Sequence, residues 1–87
     1  MVSKKIIIKD ELGLHMRPAS ELAKMAATYG SNIKILFNGK EFDCKRVMFL
    51  MTACIKYNSE TELVCDGPDE EKALAELSAF LESDMGD

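Results

Sequence analysis

Short apolar runs, most of them alternating with polar residues, predict four β-strands along the chain. The clearest is residues 32–37, where Ile33, Ile35 and Phe37 occupy alternate positions, as in a strand with one buried face. A β-branched triplet at 6–8 with lysines on both sides predicts an earlier strand. The predicted strands span residues 4–9, 32–37, 40–43 and 60–65.

Two longer stretches repeat apolar residues every three or four positions, which is the spacing of one helix face. The first follows Pro18, which suits the first turn of a helix, and Gly30 is its predicted C-terminal cap. Its predicted buried stripe is Ala19, Leu22, Ala23 and Ala26. The last helix follows Asp69, a predicted N-cap, and starts with the acidic pair Glu70 and Glu71. Its predicted stripe is Ala73, Leu74, Leu77, Phe80 and Leu81.

The middle of the chain supplies a turn and a third helix. Asn38 and Gly39 both tolerate the positive φ of a type I′ turn, so they predict a hairpin. The run 47–51 is rich in Met and Leu and predicts a short helix. The order is then β-α-β-β-α-β-α, an α+β fold whose antiparallel sheet carries all the helices on one face. The open face is expected to include Lys34, Lys40 and Glu62.

Composition and charge narrow the class of protein. The chain has 87 residues, 47% of them hydrophobic and 30% charged, which predicts a single folded domain over 1–87. A net charge of −4 argues against general binding to nucleic acid. The three cysteines form no CxxC pair and there is one histidine, so no metal site is expected and the thiols are predicted to be reduced. No signal peptide or membrane-length apolar run is present, and we expect a cytoplasmic protein without membrane insertion.

The single histidine, His15, stands just before the first predicted helix. The positive end of a helix favours anions and disfavours imidazolium, so a histidine there is expected to have a lowered pKa and a neutral, nucleophilic ring. Arg17 could hold phosphate oxygens through two hydrogen bonds, and Pro18 would fix the backbone. These parts suit phosphoryl transfer. From composition and spacing alone, however, a surface histidine at a helix start beside a solvated Arg17 is the favoured interpretation.

The segment GLHMRPAS at 13–20 closely resembles the active-site segment of the HPr family, the histidine-containing phosphocarriers of the bacterial phosphoenolpyruvate-dependent sugar phosphotransferase system. The resemblance extends over nearly the whole chain. It includes Asn38-Gly39-Lys40, the segment 45–51, the acidic start of the last helix and the total length. This match reverses the preference for a plain surface histidine.

The resemblance implies that His15 is phosphorylated on Nδ1 by phospho-Enzyme I and passes the group to a histidine of an enzyme IIA protein or domain. Arg17 and the backbone N–H groups of Met16 and Arg17 would hold the phosphate, and Pro18 would fix the frame. No cofactor is implied, and the protein would be a relay rather than an enzyme acting alone. The implied fold is an open-faced β-sandwich, with four antiparallel strands and three helices on one side.

A docking surface for these partners is expected on the first two helices. Met16, Ser20, Lys24 and Ala27 share one helix face by their spacing. The run 47–51 cannot point inward throughout, so part of it is expected to be exposed. The resemblance implies that Val47, Met48 and Met51 belong to this surface, with plain core packing as the alternative for each. The predicted partner-binding residues are then Met16, Ser20, Lys24, Ala27, Lys45, Arg46, Val47, Met48 and Met51. A monomer is expected, because a relay must free this surface for successive partners.

Two positions depart from the family pattern. Met16 stands where relatives commonly have Thr or Ala, which leaves the chemistry intact and bears on partner preference. Arg46 stands where many relatives have a serine that a dedicated kinase phosphorylates, so this switch is expected to be absent here. These departures leave an alternative open: an HPr-like regulatory binding module of a nitrogen-type phosphotransfer branch, acting according to the state of His15. A generic small α+β ligand-binding domain is the third, weaker hypothesis.

Overall fold

The computed structural model describes residues 1–9, 16–53 and 55–82, with Met16 described by its backbone alone. Its elements follow the predicted order. They are β1 (Val2–Ile7), α1 (Met16–Ala27), β2 (Asn32–Phe37), β3 (Lys40–Asp43), α2 (Val47–Thr52), β4 (Glu60–Asp66) and α3 (Glu70–Glu82). The first strand lies two residues earlier than predicted. Val2 pairs with Cys65 at one end, while Ile8 leaves the strand and donates its N–H to the Ser59 carbonyl at 3.1 Å.

The four strands form one antiparallel sheet in the order β1-β4-β2-β3. Strand β4 lies inside the sheet, where Leu63 faces Ile35 of β2. The β2–β3 hairpin closes through Asn38 at φ 53° and Gly39 at φ 76°, which confirms the predicted turn with two positive φ angles.

The three helices cover one face of the sheet and bury its inward positions. Alternate residues of the strands point into this core, and α2 contributes Leu50. The largest fully buried side chains are Ile6, Ile8, Pro18, Leu22, Ile33, Ile35, Leu50, Leu63, Leu77 and Leu81. Burying each large aliphatic side chain contributes about 1.5–3 kcal/mol of hydrophobic stabilisation. In the two predicted helix stripes the central residues are fully buried, whereas Ala23, Leu74 and Phe80 lie at the half-buried margins.

Where α1, β2 and α3 meet, the contacts at the helix ends differ in part from the predicted helix caps. Helix α1 ends at Ala27, and Gly30 lies three residues beyond it without a left-handed φ, so the predicted glycine cap is wrong. Asp69 does stand directly before α3, and its carbonyl accepts the Ala73 N–H at 2.9 Å. Its carboxylate, however, accepts the N–H groups of Gly30 and Ser31, both at 3.0 Å. The acid therefore joins the two helices through the start of β2.

The register of the strands decides which residues line the open face. Leu36 faces Glu62, and Lys34 faces Val64, so Lys34 and Glu62 lie on the side away from the helices as expected. Lys40 instead faces Phe37, whose side of the hairpin is the helix-covered one. The prediction for Lys40 is wrong because the two-residue turn pairs it with Phe37, and its neighbour Glu41, opposite Leu36, lies on the open face instead. Within the described residues, no helix is both long and apolar enough to span a membrane.

Candidate functional site

The predicted phosphate acceptor, His15, lies outside the described residues, together with Gly13 and Leu14. The structure does describe the residues immediately C-terminal to it. Helix α1 begins at Met16, so Met16, Arg17 and Pro18 are its first three residues. The N–H groups of a first helical turn find their acceptors outside the helix, and proline has no N–H to satisfy. Met16 and Arg17 therefore carry their backbone N–H groups at the position where the sequence predicted anion binding.

Pro18 and Ala19 anchor the start of α1. Both side chains are fully buried, while Arg17 beside them is exposed. A buried proline with its fixed φ limits how far the first turn can shift. Arg17 therefore stands on a rigid support, with its side chain at the protein surface.

The outer face of α1 carries the other residues predicted to meet partners. Lys24 and Ala27 are exposed, and Ser20 is half-buried. The Lys24 ammonium lies 4.0 Å from the Glu21 carboxylate, a weak exposed pair. The side chain of Met16 is outside the described part of the chain.

Helix α2 divides its apolar residues between the core and the surface. Leu50 is fully buried and anchors the helix. Val47 and Met51 are half-buried and pack against the core, whereas Met48 is 69% exposed. Because α1 and α2 pack against each other, Met48 and the outer face of α1 lie on neighbouring elements.

One exposed residue of α2, Phe49, was not among the predicted docking residues. It is 47% exposed, and its ring lies under the Arg46 guanidinium, with Cζ 5.0 Å from the ring centroid. An arginine followed three residues later by an aromatic is a helix-surface pair. That spacing was visible in the sequence and could have identified Phe49.

The side chain of Lys45 makes a hydrogen bond that its predicted docking role did not include. Its ammonium donates to the Tyr29 carbonyl at 3.0 Å, near the C-terminal end of α1. This hydrogen bond connects the segment that precedes α2 to the end of α1. Lys45 remains exposed, so its charge still contributes to the basic surface.

Several groups at the junction and in the core have displaced pKa values. Hydrogen bonds, first from the Ser31 hydroxyl and then from the Gly30 N–H, lower the pKa of Asp69. Burial, followed by the hydrogen bond to Glu76, raises the pKa of Tyr29 to about 12. Burial also raises the pKa of the Cys44 and Cys65 thiols, which keeps both protonated and unreactive.

Known proteins match this chain over nearly its full length. The family model described as "PTS HPr component phosphorylation site" matches residues 2–83. The phosphocarrier protein HPr of Mycoplasma genitalium is 42% identical over 77 residues, covering 87% of this chain and 88% of that protein.

Solved structures agree with the observed fold. The crystal structure of HPr-C-His from Thermoanaerobacter tengcongensis has a TM-score of 0.95 at 31% identity, covering 100% of this chain and 98% of that one. An HPr dimer from the same organism has a TM-score of 0.79 at 31% identity, covering 100% of both chains. The whole-chain match and the predicted open-faced sandwich coincide, and the chain belongs to the HPr family, the phosphocarriers of the phosphotransferase system.

Proposed function

We propose that the chain carries a phosphoryl group on His15, accepted from phospho-Enzyme I and given to enzyme IIA proteins or domains. The observation that carries this proposal is the position of α1, which begins at Met16 directly after the histidine, within a family match that spans 2–83. The transfer needs an acceptor nitrogen, neutralisation of phosphate charge and a partner held in line.

The residues around the helix start have distinct roles in this proposal. The imidazole Nδ1 of His15 attacks phosphorus, and the N–P bond forms as the bond to the donor breaks. Arg17, exposed at the first turn of α1, holds phosphate oxygens through its guanidinium. The backbone N–H groups of Met16 and Arg17 donate to the remaining oxygens, and buried Pro18 holds their direction.

The partners dock on α1 and α2, whose surfaces adjoin. The docking residues are Met16, Ser20, Lys24, Ala27, Lys45, Arg46, Val47, Met48 and Met51. The exposure of Met48, and the cations around it on a chain of net charge −4, favour partners with an apolar centre and an acidic rim. A monomer in the cytoplasm fits a relay that frees this surface between partners. Sedimentation at working concentration tests the monomer, since a relative's crystal structure is a dimer.

Phosphorylation by Enzyme I and labelled phosphoenolpyruvate tests the proposal. The protein should take up one acid-labile phosphate, and His15→Ala should take up none while keeping the thermal unfolding midpoint of the wild type. Arg17→Ala should slow the transfer more than it weakens binding to Enzyme I. Labelling that survives His15→Ala would refute the assignment.

The alternative function is a regulatory binding module that controls targets according to His15 phosphorylation. The observation that favours it is Arg46, whose exposed guanidinium gives this position a permanent positive charge. Pull-downs with phosphorylated and unphosphorylated protein, compared with transfer to a sugar-specific enzyme IIA, distinguish the two functions. Transfer without state-dependent capture of other proteins supports the relay.

A further inference from the structure

The side chains of Arg46 and Phe49 form a stacked pair on the surface of α2. Arg46 is the residue before the helix, and Phe49 is the third residue within it. The guanidinium carbon lies 5.0 Å from the ring centroid, and the ring remains 47% exposed. A cation over an aromatic face at this distance is held by the ring's negative face.

Stacking leaves the hydrogen-bonding edge of the guanidinium available. The five N–H donors of arginine lie in its plane, so those not turned toward the ring can still meet a carboxylate. The nearest acid in the sequence is otherwise engaged: the Asp43 carboxylate accepts the Lys45 N–H at 2.9 Å. The ion pairs between side chains of the described residues do not include Arg46.

The helix that carries the pair is anchored in the core and exposes a further apolar side chain. Met48, which precedes Phe49 in sequence, is 69% exposed, while Leu50 anchors the helix in the core. Arginine, aromatic residues and methionine are the types enriched at the centre of protein interfaces. A side chain that is already ordered also loses less freedom on binding.

We infer that Arg46 and Phe49 act as one recognition unit, in which the ring positions the guanidinium to meet a partner carboxylate beside an apolar contact on Met48. This inference rests on the proposed function, because the partner is Enzyme I, the phosphoryl donor. Phe49 is a positioning residue, and the carboxylate must approach in the plane of the guanidinium. Lysine therefore cannot replace Arg46, although it preserves the charge.

Phosphoryl transfer from the Enzyme I of the same organism tests the pair. KM for the carrier and kcat are measured for the wild type, Arg46→Lys, Phe49→Leu and the double variant. Arg46→Lys keeps the charge but loses the planar guanidinium, and Phe49→Leu keeps an apolar side chain but loses the ring that holds the guanidinium. Each single variant should raise KM about two- to fivefold, in line with an exposed cation–π contact, and leave kcat unchanged.

The double variant shows whether Arg46 and Phe49 act together or make two independent contacts. If the residues act together, its KM should match that of the weaker-binding single variant rather than the product of both effects. Tyr57→Leu is the matched control, since Tyr57 is a 56% exposed aromatic outside α2 and outside the predicted docking residues, and its KM should equal that of the wild type. Equal thermal midpoints exclude unfolding as the cause.

Two results would overturn the inference. The first is an unchanged KM in Arg46→Lys and Phe49→Leu, and the second is a double variant whose KM is the product of the two single effects. Either result would show that the residues do not act as one unit. Normal labelling of His15 would still support the phosphocarrier role. Failure of Enzyme I to label even the wild type would instead remove the proposed function, and this inference with it.

Discussion

Ser31 and Asp69 are hydrogen-bonded through both main chain and side chain, although 38 residues separate them. The Asp69 carboxylate accepts the Ser31 N–H at 3.0 Å and also the Ser31 hydroxyl, while the Asp69 N–H donates to the hydroxyl oxygen at 3.3 Å. Ser31 is fully buried. This contact joins the start of β2 to the start of α3 and so helps to hold α1, from which the candidate site projects.

Replacing Ser31 tests the strength of this joint. Ser31→Ala removes a buried hydroxyl that both donates to and accepts from Asp69, so the free energy of unfolding should fall by about 1–3 kcal/mol. Urea denaturation measures it. Thr28→Ala is a suitable control, because its hydroxyl is exposed and donates to the Met25 carbonyl within the end of α1. Equal stability of the two variants would contradict the structural role of Ser31.

The lowered pKa of Asp69 predicts an acid-sensitive joint. Because the folded protein holds the charged carboxylate more tightly than the unfolded chain, the contribution to stability is present above the ordinary value of 3.8. It is lost as the pH falls from that value through the lower pKa of the folded state. Asp69→Asn should flatten this part of the curve of unfolding free energy against pH. Glu71→Gln, on the exposed side of the same helix start, should lose stability at acid pH as the wild type does. An equal acid-dependent loss of stability in Asp69→Asn would contradict the account.

A glycine packs against the same joint. A Cβ added at Gly67 would lie 2.6 Å from the Ser31 Cα, a main-chain atom that cannot move without shifting β2. Gly67→Ala should therefore destabilise the protein by about 1–3 kcal/mol, as overpacking does. Gly30→Ala is the control, since its nearest neighbour would be Pro68 Cγ at an ordinary 3.6 Å. Thermal unfolding of both variants checks the difference, and similar midpoints would argue against close packing at Gly67.

Substitutions at two residues of α2 should affect stability and docking separately. Leu50→Ala removes a fully buried side chain and should cost about 2–5 kcal/mol of unfolding free energy. Met48→Ala, at 69% exposure, should leave stability within about 0.5 kcal/mol but weaken binding to Enzyme I. Denaturation and calorimetric titration measure the two effects. Full binding by Met48→Ala would contradict its place in the docking surface.

Local patterns were sufficient to predict the order of the elements. The alternation of Ile33, Ile35 and Phe37 and the Asn38-Gly39 turn depend on near neighbours, and both appear in the structure as expected. The limits of β1 were displaced because pairing of Val2 with Cys65, a distant contact, decides where the strand begins. The face of Lys40 was wrong for a different reason: the predicted two-residue turn already implied its pairing with Phe37, and this consequence was not drawn.

The candidate site was inferred mainly from the family motif rather than from spacing. Pro18 and Arg17 lie in the first turn of α1, as the sequence indicated. The exposure of Phe49 was missed because the run 47–51 was interpreted from its apolar character alone, although Arg46 three residues before Phe49 indicated a surface pair. The bond from Lys45 to the Tyr29 carbonyl depends on how α2 approaches α1, which the local sequence does not determine.

Passage of the phosphoryl group through the protein tests the central claim most directly. Protein labelled by Enzyme I is purified away from donor and phosphoenolpyruvate, then mixed with an enzyme IIA from the same organism, and the label on both proteins is followed with time. A phosphocarrier should lose its label as the enzyme IIA gains an equal amount, and His15→Ala taken through the same steps should deliver none. Label that stays on the carrier, or that reaches the enzyme IIA equally from His15→Ala, would contradict the account.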